Sequence, residues 1–142
     1  MKRIQQLSVF LENKSGRLNE ILEILGTESI NIIAASVADT SEFGILRMIT
    51  SDTSKAVEVL KGAGLSANLS EVLALKCENS AASYAQELGK LSNEDIHIEY
   101  MYSFSNQDCS TLIVRTNNNA KAIEAAQKYG LATLTQCELN EI

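Results

Sequence analysis

Hydrophobic residues recur along the start of the chain with two successive periods. Residues 4–11 place Leu7, Val9 and Leu11 on one face at a spacing of two, which predicts a half-buried β-strand. The next apolar side chains follow at helical spacing and predict an amphipathic helix: Leu18, Ile21, Leu22 and Leu25. Gly26 comes directly after them, at a position typical of a helix end.

The residues that follow complete a βαββαβ order. Residues 30–38 and 43–50 predict two strands, and the four residues between them, Asp-Thr-Ser-Glu, have the composition of a turn. Residues 53–63 predict a second helix that ends at Gly64. A strand from Leu65 onward closes the unit.

The same pattern occurs twice. At an offset of 66 residues the chain matches itself without a gap, at both apolar and polar positions. The matched pairs include Glu12 with Glu78, Asn13 with Asn79, Leu25 with Leu91, Ile32 with Ile98, Lys55 with Lys121 and Gly64 with Gly130. The second copy therefore predicts elements over residues 71–77, 80–91, 96–104, 109–116, 118–129 and 131–138. We predict two units, residues 1–69 and 70–142, with no linker between them.

Two βαββαβ units predict an α+β protein made of two tandem ferredoxin-like domains. Helical crossovers are right-handed and sequential strands tend to be neighbours, so each unit forms an antiparallel sheet of order 4-1-3-2 with both helices on one face. A unit of about 70 residues leaves a sheet face and an edge bare and is marginally stable alone. The exposed sheet faces therefore predict a homodimer.

The charge balance argues against two classes of partner. The chain has a net charge of −6 and a pI of about 4.8, and its basic residues are scattered, whereas nucleic acids and anionic membranes need clustered Lys and Arg. Its apolar stretches are too short to cross a bilayer. Polar residues follow Lys2 and Arg3 where a signal peptide needs an apolar core. We expect a cytoplasmic protein.

The inventory of reactive side chains argues against catalysis. One histidine and three cysteines without a CxxC motif are too few for a structural zinc site or a nucleophilic triad. No phosphate-binding GxxxxGK[ST] loop is present in the sequence. We therefore expect a protein that is not an enzyme and has no metal or cofactor. In the predicted sheet Cys77 lies near Cys109, while Cys137 lies at the opposite end.

The segment Asn13-Lys14-Ser15-Gly16-Arg17-Leu18, followed by Ile30-Asn31-Ile32 and Asp39-Thr40, resembles the ACT domain, a small-molecule sensing module. The usual first loop of that family is an acidic or amide residue, any residue, Pro, Gly, any residue, Leu, and Ser15 replaces the proline in this chain. The resemblance implies binding of an amino acid where two domains meet, and regulation of an enzyme or a transcription factor.

The chemistry of the first loop favours the same function. A glycine between a strand and a helix lets a ligand approach the backbone, and the first helix amides attract an anion. An α-carboxylate can dock on the amides around Ser15, Gly16 and Arg17. An ammonium can donate hydrogen bonds to the Asn13 side chain or to carbonyls of the second strand. The candidate ligand-binding residues are Asn13, Lys14, Ser15, Gly16, Arg17, Leu18, Asn31, Ile32, Ile33, Asn79 and His97.

The two copies differ at this loop. The second copy keeps Asn79 but has Ala82 and Tyr84 where the first has Gly16 and Leu18, which predicts one sensing unit and one supporting unit. Structural alternatives stay open: Asn13 as a helix N-cap, Gly16 as a packing residue, His97 as a structural residue and residues 117–119 as a turn and cap.

A second function class also stays open. The chain can serve as a regulatory or interaction subunit that pairs with an enzyme of amino-acid metabolism without binding a ligand itself. An RNA-recognition domain exposes aromatic residues on its first and third strands, and only Phe10 and Phe43 offer this in copy one of an acidic chain.

Overall fold

The computed structural model describes residues 3–12, 16–39, 43–106 and 108–140. The chain divides into two compact units. Residues 5–70 form what we call the first unit, and residues 71–141, joined by the first four residues of the chain, form the second unit. The boundary between Ser70 and Glu71 lies inside a single strand, β4 (Ala67–Glu78).

The first unit has the predicted order of elements: β1 (Ile4–Glu12), α1 (Arg17–Thr27), β2 (Ile32–Asp39), β3 (Phe43–Thr50), α2 (Thr53–Gly62) and the start of β4. Its strands lie in the order β2-β3-β1-β4, which confirms the predicted 4-1-3-2 sheet. Strand β3 pairs antiparallel with both β1 and β2. Helical and strand side chains share one core, so both helices lie on one sheet face: among them Leu7, Val9, Ile21, Leu25, Leu46, Met48 and Leu60.

The second unit repeats the arrangement: the rest of β4, α3 (Ala81–Ser92), β5 (Ile98–Asn106), β6 (Cys109–Thr116), α4 (Asn119–Tyr129) and a short α5 (Gln136–Asn140). Its strands lie in the order β4-β6-β5, so the predicted 4-1-3-2 sheet lacks its fourth strand in this unit. Its core is built from equivalent positions, including Leu73, Leu75, Leu91, Leu112, Val114 and Ala122.

The end of the second unit departs from the sequence prediction. We predicted a strand over residues 131–138, but the structure has one isolated bridge between Leu75 and Thr133, followed by helix α5. The reason is a capping box: Thr135 Oγ1 accepts a hydrogen bond from the Glu138 amide, and Glu138 Oε1 accepts one from the Thr135 amide, both at 3.3 Å. This reciprocal pair favours a helix start over a continued strand.

The repeat extends to the backbone geometry. Ser29 and Asp95, which are 66 residues apart, both have a positive φ, of 56° and 58°. The Ile30 amide donates to the Leu25 carbonyl at 3.0 Å, and the Ile96 amide donates to the Leu91 carbonyl at 3.2 Å. Register shifts interrupt β2 and β5 at matched places as well. The internal sequence match therefore reflects two copies of one backbone design.

Two predictions about helix ends are wrong. Helix α1 continues past Gly26 to Thr27, because the left-handed residue that ends its hydrogen bonding is Ser29. Its N-cap is Gly16, so the alternative of Asn13 as N-cap fails. Asn118 does cap α4 by accepting a hydrogen bond from the Lys121 amide, which confirms the structural interpretation of residues 117–119.

Among the described residues, no helix is long and apolar enough to span a membrane.

Candidate ligand-binding site

The first loop of the first unit ends at Gly16, the N-cap of α1. Gly16 has φ +83°, and its carbonyl accepts a hydrogen bond of 3.0 Å from the Glu20 amide. A side chain there would be strained by the backbone alone, although in the described part of the chain an added Cβ meets nothing within 4 Å. The predicted ligands Asn13, Lys14 and Ser15 lie outside the described residues.

The next two candidates begin the helix. Arg17 donates to the carboxylates of Glu12 and Glu20, with N–O distances of 3.3 Å and 3.0 Å. These two ion pairs fix its guanidinium against acidic neighbours. Leu18 is partly exposed on the first turn. Arg17 thus has a structural role that is independent of any ligand.

The structure does not bring the second-strand candidates to this loop. Asn31 lies just before β2, and Ile32 begins the strand and pairs with Thr50. Glu12, before the loop, pairs with Phe43. Phe43 and Thr50 are seven residues apart on β3, which corresponds to about 24 Å along an extended strand. Within the first unit, one small ligand therefore cannot contact both Gly16 and the segment from Asn31 to Ile33.

Asn31 and His97 instead occupy one structural motif in both copies. The Asn31 amide donates to Ser51 Oγ, and the His97 amide donates to Asn117 Oδ1, both at 3.0 Å. The amides of Ser51 and Asn117 return hydrogen bonds to the carbonyls of Asn31 and His97. The His97 imidazole is 78% exposed, with its Nε2 3.9 Å from a carboxylate oxygen of Asp95.

Among the predicted ligand-binding residues, Asn79 lines a cavity formed by described residues of the second unit. This open cavity has a volume of about 560 Å³ and lies where β4 ends and β6 begins. Its lining consists of Glu78, Asn79, Ser80, Asp108 and Cys109. Ser80 is the N-cap of α3, and its hydroxyl accepts a hydrogen bond from the Ser83 amide at 3.1 Å. The cavity thus combines two carboxylates with a helix N-terminus.

A buried hydroxyl holds the Asn79 side chain. Ser110 Oγ donates to Asn79 Oδ1 at 3.1 Å and accepts a hydrogen bond of 2.7 Å from the Tyr84 hydroxyl. Ser105 Oγ lies 2.7 Å from the same Ser110 oxygen. The hydrogen bond with Ser110, followed by one with Ser103, lowers the pKa of Tyr84 below its usual value. Because Ser110 donates to Asn79 Oδ1, Nδ2 is the side-chain amide atom of Asn79 that can contact a ligand.

The ACT domain pair family matches residues 2–142, nearly the whole chain. The chain belongs to this family. A search of curated proteins finds no significant match.

Solved structures similar to this ACT domain pair include protein BT0572 from Bacteroides thetaiotaomicron. The two share 41% sequence identity and a TM-score of 0.94, with 99% of this chain and 97% of that chain covered. The ligand-free regulatory subunit of aspartate kinase from Thermus thermophilus has 13% identity and a TM-score of 0.64, covering 90% of this chain and 93% of that chain. The aspartokinase alpha and beta subunits have 12% identity and a TM-score of 0.56, with coverage of 92% and 99%. The last two similarities establish the shared fold.

Sequence reasoning about this ACT domain pair missed Asp108, Ser110 and the function of Tyr84. Asp108 and Ser110 belong to the third strand of the copy and its preceding turn, which the topology brings beside the first loop. A signal was available, because the antiparallel pairing of strands one and three places Ser110 opposite Cys77. Tyr84 occupies the position of Leu18 in the first copy, and its hydroxyl donates a hydrogen bond to Ser110 of the same copy.

In this ACT domain pair Cys77 and Cys109 lie near each other as predicted, whereas Cys137, predicted in a strand, lies in helix α5. Cys77 pairs with Ser110 and Cys109 pairs with Glu78, so the two cysteines are diagonal neighbours at one end of the sheet. Burial, with Glu87 as the next cause, raises the pKa of the Cys77 thiol. Among the described residues, no group of three or more His, Cys, Asp or Glu side chains could hold a metal ion.

Proposed function

We propose that this ACT domain pair is a non-catalytic regulatory module that binds a free amino acid. The observation that carries the proposal is the cavity at Asn79, because it offers partners for both charges of a zwitterion. The carboxylates of Glu78 and Asp108 can accept hydrogen bonds from an α-ammonium. The first amides of α3, next to Ser80, lack helical partners and favour an α-carboxylate.

The Asn79 amide adds selectivity for the backbone of an amino acid. Its oxygen is engaged by Ser110, and within the described residues its Nδ2 group has no partner, so Nδ2 can donate to the ligand carboxylate. A cavity of about 560 Å³ is within the range of 300–1,000 Å³ typical of small-molecule sites. These features favour a ligand of amino-acid size.

The family and its fold support a regulatory function. The regulatory subunit of aspartate kinase is similar in fold to the present chain. We infer that ligand binding is communicated to a separate enzyme of amino-acid metabolism. The first loop, which the sequence predicts as the site of the sensing unit, stays a prediction, with Gly16 as N-cap and Asn13, Lys14, Ser15, Arg17 and Leu18 as its predicted contacts.

Isothermal titration calorimetry of the full chain with each standard amino acid tests the proposal. We expect saturable binding of at least one of them. The amide of that amino acid, which lacks the carboxylate, and its N-acetyl derivative, which lacks the ammonium, should both bind at least tenfold more weakly. If the folded chain binds none of the standard amino acids, the proposal is wrong.

Matched variants locate the site. Asp108→Asn and Asn79→Ala remove partners at the cavity and should each weaken binding about tenfold or more, the loss of one charge-assisted hydrogen bond. Glu58→Gln removes an exposed carboxylate on α2 and should leave the affinity unchanged. Gly16→Val should reduce binding only if the first unit also has a site.

A second candidate function is an interaction subunit that binds no ligand. The observation that favours it is a concentration of exposed apolar side chains in the first unit. Under this alternative, no amino acid binds and Asp108→Asn has no effect on assembly with a partner enzyme. The titration therefore separates the two functions.

A further inference from the structure

Another cavity of the second unit lies between the start of the chain and helix α4. Its volume is about 220 Å³, below the range of about 300–1,000 Å³ typical of sites for drug-sized molecules. Arg3 lines it from the start of the chain. The other lining residues lie on one face of α4, at spacings of three or four: Ala120, Ile123, Glu124 and Gln127. The cavity, which we call the Arg3 cavity, therefore has room for a molecule of a few heavy atoms.

Arg3 has a hydrogen-bond donor that no described residue satisfies. Its Nη1 donates to Glu71 Oε2 at 2.9 Å, whereas its Nε is buried and has no hydrogen-bond partner among the described residues. A buried donor without an acceptor is unfavourable, because it has given up water without gaining a replacement. Since Arg3 lines the cavity, an acceptor atom bound there can take this hydrogen bond.

The ion pair of Arg3 with Glu71 is held beside the start of α4. Asn119 Nδ2 donates to the Glu71 carbonyl at 2.8 Å, and Arg115 Nη1 donates to the same oxygen at 3.4 Å. The Asn119 side-chain oxygen accepts a hydrogen bond of 2.8 Å from the Thr116 hydroxyl. These contacts fix the backbone of Glu71, and Glu71 in turn fixes the guanidinium. The Nε donor is thus positioned before any ligand binds.

The charges around the Arg3 cavity argue against an anionic ligand. The Arg3 cation is already paired with Glu71, and Glu124 adds a second carboxylate, so the three groups have a net charge of −1. A ligand carboxylate would meet Arg3 only against the repulsion of both glutamates. A neutral carbonyl oxygen accepts the same hydrogen bond without that repulsion. The acceptor that fits this cavity is therefore uncharged.

The other lining residues select the rest of the ligand. Glu124 is acceptor-only when ionised, and Gln127 offers both an acceptor and a donor, so the ligand should bring N–H groups as well as a carbonyl. Ala120 and Ile123 provide an apolar wall, and Ile123 is 8% exposed. A primary carboxamide on a short alkyl chain matches all three requirements: a neutral acceptor, N–H donors and an apolar remainder.

We propose that the Arg3 cavity binds a small molecule that has a primary carboxamide. Its carbonyl oxygen accepts a hydrogen bond from Arg3 Nε, its NH2 group donates to Glu124, and its alkyl part packs on Ile123. The Arg3 cavity shares no lining residue with the cavity at Asn79. The proposal is therefore independent of amino-acid binding at Asn79.

An NMR titration of the full, isotope-labelled chain with butyramide tests the proposal. Butyramide has neither an α-ammonium nor a carboxylate, so it lacks the groups that the cavity at Asn79 is proposed to recognise. We expect saturable shifts centred on the backbone amides of Ile123 and Gln127. Butyrate, which is an anion, and N,N-dimethylbutyramide, which has no N–H donor, should each bind at least tenfold more weakly. Absence of saturable shifts at α4, or butyrate that binds as tightly as butyramide, would overturn the proposal.

Three variants assign the contacts. Arg3→Lys keeps a cation for Glu71 but removes the Nε donor, and it should weaken butyramide binding at least tenfold. Glu124→Gln removes the carboxylate and should weaken it at least threefold. Glu58→Gln, at the matched position on α2, is the control and should bind as the wild type does. The amide spectrum of each variant shows whether it is folded. Wild-type affinity in folded Arg3→Lys, or a loss in Glu58→Gln, would refute the assignment.

Discussion

Ser110 and Asn79 come from different strand ends of the second unit, and the Ser110 hydroxyl donates a 3.1 Å hydrogen bond to the Asn79 side-chain oxygen. Ser110 is 1% exposed, so this contact is shielded from water. The same hydroxyl accepts from Tyr84, and the three side chains form one chain of hydrogen bonds beside the cavity. The site therefore depends on a residue that does not line it.

The first prediction concerns this buried hydroxyl. Ser110→Ala should destabilise the chain by about 1–3 kcal/mol, because it removes the common hydrogen-bond partner of Asn79, Tyr84 and Ser105. It should also raise the pKa of Tyr84 toward its usual value, since Ser110 is the main cause of the lowering. Urea denaturation and ultraviolet titration of the tyrosines measure the two effects. Ser105→Ala keeps the Ser110 contacts with Asn79 and Tyr84 and should change the Tyr84 titration less.

The second prediction uses the repeat in the core. Leu25 and Leu91 occupy matched positions and are at most 1% exposed. Truncation of either to alanine should cost about 2–5 kcal/mol of unfolding free energy, from lost burial and a residual cavity. Leu22→Ala, on the exposed side of α1, is the control and should cost much less. Costs that differ more than twofold between Leu25→Ala and Leu91→Ala would contradict equivalent packing.

The third prediction concerns backbone strain at Ser29. Its φ of 56° is in the left-handed region, which is unfavourable for a residue with a Cβ. Ser29→Gly should therefore stabilise the chain by about 1 kcal/mol. Gly64, with φ +82°, is the reverse case, and Gly64→Ala should destabilise by a similar amount. Thermal unfolding measures both, and a lower Tm for Ser29→Gly would refute the argument.

The fourth prediction concerns the pH dependence of one surface cluster. Glu94 accepts hydrogen bonds from Lys128 at 2.7 Å and from Tyr129 at 2.8 Å, and these lower its pKa in the folded chain. Since the folded pKa lies below the unfolded one, the contribution to stability is present above the unfolded pKa and is lost as the pH falls through the folded pKa. Glu94→Gln should therefore lower the Tm at pH 7.

The pH series provides the control for this prediction. The difference in Tm between the wild type and Glu94→Gln should shrink as the pH falls below 4.5, the usual pKa of a glutamate. Glu28→Gln, at the matched position, removes a longer contact of 3.6 Å with Lys55 and should have a smaller effect at pH 7. A difference that is constant from pH 7 to pH 2 would show that charge is not involved.

The fold was predictable because its signals are local. Alternation at Leu7, Val9 and Leu11 predicts β1, and the same alternation returns 66 residues later with its helix between. The C-terminal strand was predicted wrongly because the alternating residues after Leu131 also fit a strand. Thr135 and Glu138, three residues apart, form a capping box that favours a helix over a strand.

The candidate site was less predictable because it depends on distant residues. Asn79 was predicted as a ligand-binding residue from its match to Asn13. Asp108 and Ser110 lie beside it only because β4 pairs with β6. The placement of Asn31 with the first loop failed because a first strand and a second strand run in the same direction in this topology. The start of one strand is then far from the end of the other.

The position of the unit boundary inside β4 affects how the chain can be divided. Proteases cut at exposed loop tips, and the bond between Ser70 and Glu71 lies within a strand instead. Strand β4 is the neighbour of β1 in the first unit and of β6 in the second unit. A cut at this boundary therefore divides β4 between the two fragments. The two copies thus share one strand, and neither fragment would hold all of it.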